Sequence, residues 1–135
     1  MSEVQTPSTT FKVVHWVVVV LLFLLMAQPT FDNVRAIMTG TMVMGDMSID
    51  VTLVDMALHV IAMIIGWIGF VLFVRRKKIG AYTSIFAHFT GLSAALISTP
   101  EMLFEMMPPA AIAVFFVVLF VIALGPIFAF KEEYF

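Results

Sequence analysis

The chain has 135 residues, enough for one domain, and 62% of them are hydrophobic against 12% charged. Soluble domains carry roughly 25% charged residues, so this balance, with a mean hydropathy of +1.11, excludes an ordinary soluble globule. The net charge of −2 comes without a basic stripe, which argues against nucleic-acid binding, and the lack of cysteine excludes disulfides, thiolate metal sites and cysteine nucleophiles.

A transmembrane helix needs roughly 20 mostly apolar residues to cross ~30 Å of hydrocarbon. Four segments qualify, at about 12–28, 51–74, 79–98 and 107–130. They divide the chain into a tail (1–11), a four-span membrane domain (12–130) and a second tail (131–135). The first segment reads as a retained span and not a signal peptide, because only Lys12 flanks it and Leu25-Met26-Ala27 is a poor cleavage site. The fold class expected is all-α: a four-helix transmembrane bundle with short interfacial helices in the outer loops.

Four of the seven basic residues sit in the linker Arg75-Arg76-Lys77-Lys78. The positive-inside rule makes that linker cytoplasmic, and alternation then places both termini, Lys12 and Lys131 on the same side. Only Arg35 is left outside, among Asp32, Asp46, Asp50, Glu101 and Glu105. A bacterial inner membrane fits this layout.

Two outer segments read as short surface helices. In "PTFDNVRAIMTG", Thr30 can cap a helix that Gly40 ends. In "STPEMLFEMMPP", Ser98 or Thr99 can cap, Pro100 suits the first helical position and Glu101 the first turn.

The second span carries Asp55, His59, Ala62, Gly66 and Gly69 at steps of three and four, and the third carries Gly80, Ser84, Ala87, His88, Gly91, Ala95 and Ser98. These stripes predict an antiparallel hairpin packed through small residues, with no room for larger side chains at Gly66 or Gly91. Folding about the basic linker sets Ile65 level with His88 and Ala94 level with His59. The two histidines then differ in depth by about 9 Å at 1.5 Å per residue, a poor fit to opposite faces of one haem.

Asp55, His59, His88 and Ser84 form the predicted intramembrane polar site. Asp55 and His59 are spaced i,i+4, which suits a mutual hydrogen bond or ion pair that fixes packing. The sharper readings are a proton relay, ligand binding or a metal site, since an ionisable group within a span is costly and histidine titrates near neutral pH. His15 belongs to neither stripe. Nine of the eleven methionines, all but Met1 and Met63, map to the outer side. In "MVMGDM", Met42, Met44, Asp46 and Met47 make a candidate Cu(I) site, because thioethers are soft ligands. The plainer reading is methionine as an adaptable apolar filler at a contact surface.

"SIFAHFTGLSAAL" (84–96) resembles the Ser-Ile-x-x-His-x-x-Thr/Ser-Gly neighbourhood of succinate dehydrogenase membrane anchors. That resemblance implies that His88 and Ser84 lie near a quinone or haem. The sequence departs from the pattern at Phe89, where a basic residue is expected and which alone separates His88 from Thr90-Gly91 where the pattern has two residues, and those anchors typically have three spans. The general layout is also similar to small four-span DoxX-like proteins.

No His-Glu-x-x-His, glycine-rich phosphate loop or Gly-x-Ser-x-Gly occurs, and no catalytic set is assigned. The function expected is a non-catalytic accessory or assembly subunit of a larger membrane complex, electron-transferring or copper-containing. It would sit in the lipid bilayer against other membrane subunits or copies of itself. The alternatives are a proton-coupled carrier or channel using Asp55, His59 and His88, and a Cu(I)-handling protein using the Met-rich loop.

Overall fold

The computed structural model describes residues 6–44 and 46–135, apart from the side chain of Met44. Its elements are α1 (Thr9–Thr39), β1 (Thr41–Met44), β2 (Met47–Asp50), α2 (Leu53–Val74), α3 (Lys78–Ser98), α4 (Pro100–Met106) and α5 (Pro109–Ala129). Helices α1, α2 and α5 are long and apolar enough to cross a membrane. At 21 residues α3 has the same reach but is less apolar, because it carries glycine, serine, threonine and histidine along its length.

The first outer segment departs from expectation. It holds no separate surface helix, because α1 runs unbroken for 31 residues with Pro29 inside it. At 1.5 Å per residue that is roughly 46 Å, longer than the hydrocarbon layer alone. An internal proline removes a donor and crowds the carbonyl four residues back. Next to it, the Thr30 hydroxyl donates to the Met26 carbonyl at 2.7 Å and accepts from the Trp67 indole at 2.9 Å, which ties the segment to α2. Thr30 is therefore a mid-helix anchor and not a cap. Gly40 does end the helix, at φ +70°, with its N–H on the Ala36 carbonyl.

A β-hairpin follows where the sequence suggested none. β1 and β2 pair antiparallel, Met42 opposite Ile49 and Met44 opposite Met47, and the Val51 N–H continues the pairing onto the Gly40 carbonyl. Alternating Thr41, Val43, Ser48 and Ile49 around a two-residue Gly-Asp connection was the available signal. The second outer segment forms the expected helix, α4, with Pro100 in its first turn beside Glu101. Neither Ser98 nor Thr99 caps it by side chain; Ser98 donates to Asp55 and Thr99 to the Ala95 carbonyl.

Helix α1 packs on α2 and α5, and α3 packs on the same two helices. The α2–α3 contact is the most extensive, and it follows the register expected from the two stripes. A Cβ at Gly69 would stand 2.6 Å from the Ser84 backbone nitrogen, and one at Gly80 would run into the Phe73 backbone. Gly66 meets the Met26 thioether of α1 more closely than it meets Ala87. Gly91 differs from expectation: a Cβ there meets Ala62 at 3.9 Å, an ordinary contact.

The start of α1, the C-terminal segment 131–135, the α2–α3 turn and one end of the helices come together at what we call the tail end. There Phe11, Leu22, Phe73, Leu119, Ala123 and Ile127 belong to one buried cluster. The first described residues of α1 and the C-terminal segment are fixed to it. Ser8 caps α1 by accepting from the Phe11 N–H, so the helix starts within the 1–11 segment, and residues 1–5 lie outside the described part. Residues 131–135 fold back: the Phe135 N–H donates to the Arg76 carbonyl and its own carbonyl accepts from Lys78, both at 2.8 Å. His15, 3% exposed, lies between the rings of Phe11 and Phe73 and shares a 2.9 Å hydrogen bond with the Tyr134 hydroxyl.

Two predictions follow from this packing. Gly69→Leu forces a side chain into facing backbone and should cost about 1–3 kcal/mol or more, whereas Gly91→Ala should leave detergent-solubilised stability unchanged. Equal melting of the two variants would show the helix faces to be misassigned. Burial pushes the Tyr134 phenol up to about 12, with the nearby Arg76 guanidinium opposing it. A pKa raised by folding gives a contribution fully present below pH 10 and lost as pH climbs through 12. Thermal stability should fall over that window, and Tyr134→Phe should remove that part of the dependence.

Candidate functional site

The end opposite the tails, which carries the hairpin and α4, is built differently. Here α1, α2, α3 and α5 border a half-open cavity of about 350 Å³ instead of a filled core. Small residues make the space: Ala62 from α2 with Ala87, Gly91 and Ala95 from α3 give up the volume that larger side chains would fill. Met26 and Asn33 of α1, Met42 of β1, and Phe115 and Phe116 of α5 complete much of the wall. A volume of this order suits a small organic molecule, for which pockets of roughly 300–1,000 Å³ are usual.

Of the four residues in the predicted polar site, the structure brings two to this cavity. His59 and His88 both line it. Each ring is held the same way, its Nδ1–H donating 2.8 Å to the backbone carbonyl four residues earlier, Asp55 for His59 and Ser84 for His88. A carbonyl only accepts, so Nδ1 must carry the hydrogen, and in the neutral ring Nε2 is then a lone-pair acceptor. Among the described residues neither Nε2 has a hydrogen-bond partner within the chain.

Asp55 is occupied elsewhere. It is the third residue of α2 and forms a capping box with Thr52: one carboxylate oxygen accepts from the Thr52 N–H at 3.1 Å and its hydroxyl at 2.6 Å, while the Thr52 hydroxyl accepts from the Asp55 N–H. The other oxygen accepts from Ser98 on α3 at 2.6 Å. The expected Asp55–His59 side-chain pair is therefore absent. The carboxylate pins the start of α2 to the end of α3, and only its backbone carbonyl serves the histidine. Ser84 also lies off the cavity: it is buried against Gly69, and its hydroxyl has no partner among the described residues.

The Met-rich set is divided. Met42 is buried and faces the cavity, Asp46 is exposed at the hairpin turn, and Met47 is half-buried. The side chain of Met44 and residue Gly45 lie outside the described part. The cavity gathers a different group of thioethers, with Met26, Met63 and Met107 beside Met42. The sequence reading missed Asn33, which is buried and brings an amide to the same wall. Its signal was present: Met26, Pro29, Asn33 and Ala36 recur at steps of three and four. That stripe is lost if the helix is broken at Pro29.

Because the Asp55 carboxylate holds two elements together, its neutral isostere should act on stability and not on the cavity. Asp55→Asn and Ser98→Ala are each expected to lower the melting temperature while leaving ligand occupancy of the cavity intact. Loss of binding with unchanged melting would place Asp55 in the site after all.

No protein-family model, curated protein or solved structure matches this chain.

Proposed function

We propose that this chain is an integral protein of a bacterial inner membrane, spanning it with α1, α2, α3 and α5 as a four-helix bundle. Both termini and the Arg75–Lys78 turn lie in the cytoplasm, and the hairpin and α4 lie outside. Its role is that of a non-catalytic accessory or assembly subunit in a larger membrane complex, electron-transferring or copper-containing, and its part there is to hold a lipid-soluble molecule.

The observation that carries this reading is the cavity: mostly apolar walls with Asp32 and Asn33 of α1 among them, two imidazoles with one nitrogen each committed to backbone, and a position in the outer half of the helices. Proton relay through Asp55 is disfavoured, because the carboxylate already accepts three hydrogen bonds from Thr52 and Ser98 and makes no side-chain bond to His59. The polar content of α3 suits a span within protein and lipid, because Thr83, Thr90 and Ser93 each return their hydroxyl to the carbonyl four residues back. Large apolar side chains such as Trp16, Phe23, Phe86 and Val121 face outward, as lipid or neighbouring subunits would require.

A second reading has one observation in its favour. Met26, Met42, Met63 and Met107 line the same cavity as the two histidines, and thioether with imidazole suits Cu(I). Cu(I) handling would then belong to the cavity and not to the loop.

Mild detergent extraction followed by mass spectrometry should recover larger membrane chains in fixed stoichiometry with this one. Recovery of this chain alone would overturn the subunit reading. Single cysteines placed at positions 46 and 77 of the cysteine-free chain should be labelled from outside and from inside, respectively. The reverse pattern would overturn the orientation.

A further inference from the structure

We infer that the cavity takes a lipophilic alkylammonium, a protonated amine on an apolar body, with its charge held at the α1 wall. This names the ligand class of the cavity and rests on the reading of it as a ligand site.

The first argument is the electrical character of the wall. Asp32 borders the cavity, and among the described residues its carboxylate accepts only from the Gln28 amide, at 3.2 and 3.4 Å. A carboxylate offers about four acceptor sites, so lone pairs are left for a ligand. Among the described residues no lysine or arginine borders the cavity, and Arg35, three residues on, is exposed and off the wall. With Nδ1–H held by the Asp55 and Ser84 carbonyls, His59 and His88 add Nε2 lone pairs.

The second argument is Asn33. It is only 9% exposed, borders the cavity, and its amide has no hydrogen-bond partner among the described residues. Leaving a buried amide unpaired is costly, which points to a polar group that the chain itself does not supply. Asn33, Met42 and His59 also border a smaller cleft beside the cavity, so the α1 amide and the α2 imidazole lie at one end of it. Asp32 precedes Asn33 on the same helix. Carboxylate, amide oxygen and imidazole nitrogen are thus gathered at this end, as an N–H-bearing cation requires.

The third argument is the rest of the wall. Ala62, Ala87, Gly91 and Leu92 are apolar, and they adjoin the thioethers and the rings of Phe115 and Phe116. Thioether sulfur is polarisable and an aromatic face attracts a cation, so these groups hold hydrocarbon without opposing the charge. An anion would meet electron-rich groups on nearly every side, and a neutral ligand would leave Asp32 without a counter-charge.

The test compares n-octylammonium with n-octanol, matched in hydrocarbon, by titration into protein reconstituted in lipid nanodiscs, with empty nanodiscs subtracted. A hydrogen bond to a charged group is worth roughly tenfold or more in affinity, so Asp32→Asn should lower the ammonium-to-alcohol ratio by about that factor and leave alcohol affinity unchanged. Asn33→Leu should lower the ratio by a smaller factor. Asp46→Asn, which removes an exposed charge away from the wall, should leave it as it is, and Gly91→Phe, which fills the cavity, should remove binding of both compounds. Because the readout is a ratio within one variant, it survives a modest loss of folded protein. A ratio unchanged by Asp32→Asn, with both compounds lost in Gly91→Phe, would overturn the cation inference and leave the cavity as a ligand site. Equal falls for Asp32→Asn and Asp46→Asn would also overturn it, by reducing the effect to surface charge. Binding of neither compound, or of both in Gly91→Phe, would overturn the ligand-site reading as well. One-to-one Cu(I) uptake that excludes the ammonium and is unaffected by Asp32→Asn would overturn the inference by assigning the wall to thioether and imidazole coordination.

Discussion

Everything else in this protein depends on how closely α2 and α3 approach each other. In lipid there is no hydrophobic drive to bring two apolar helices together, so association rests on van der Waals contact and hydrogen bonds, both of which need backbones close together. Gly69 and Gly80 provide that closeness, one against Ser84 and the other against Phe73. Once these contacts set the register, Asp55 falls opposite Ser98, and a single short hydrogen bond closes the far end of the hairpin. The two histidines are then displaced along the helix axes, and neither can reach the other's partner.

The same pair of helices explains why one half of the molecule is solid and the other hollow. Toward the tails, Phe11, Phe73, Leu119 and Ile127 fill the space between helices, and the C-terminal residues seal it through Tyr134 and the backbone of Phe135. Toward the hairpin, α2 and α3 continue with alanine and glycine, and Met26 of α1 with Phe115 and Phe116 of α5 border the gap without filling it. A half-open space left between helices forfeits the dispersion contacts that a filled core would make, a cost in stability. A cost of that kind, beside two oriented imidazoles, is what marks this region as a site.

Polar groups elsewhere are handled locally. Hydroxyls along α3 return to their own helix, the indole of Trp67 finds Thr30, and the carboxylate of Asp55 doubles as a helix cap and a bridge. Unsatisfied polar groups in hydrocarbon cost several kcal/mol each, which accounts for how few are left. The exception is the Ser84 hydroxyl, enclosed beside Gly69 with no partner among the described residues; nothing in the structure explains it.

Short-range rules made much of the molecule legible in the sequence. The apolar runs gave the long helices, the stripes of small residues gave the α2–α3 face and its register, Gly40 gave the end of α1, and Pro100 with Glu101 gave α4. These signals act within a few residues or across one antiparallel pair, where helical periodicity is enough. Pro29 misled because its local penalty is offset by Thr30 and Trp67, residues 37 positions apart. That false break hid the hairpin and removed Asn33 from the same face as Met26. The partners of the Asp55 carboxylate were hidden for the same reason: a spacing of four permits a bond to His59, but α3 supplied Ser98 and the cap supplied Thr52. The cavity itself could not be read from the chain, since a void is a property of how α1 and α5 sit against α2 and α3, and no single segment encodes the space left between them.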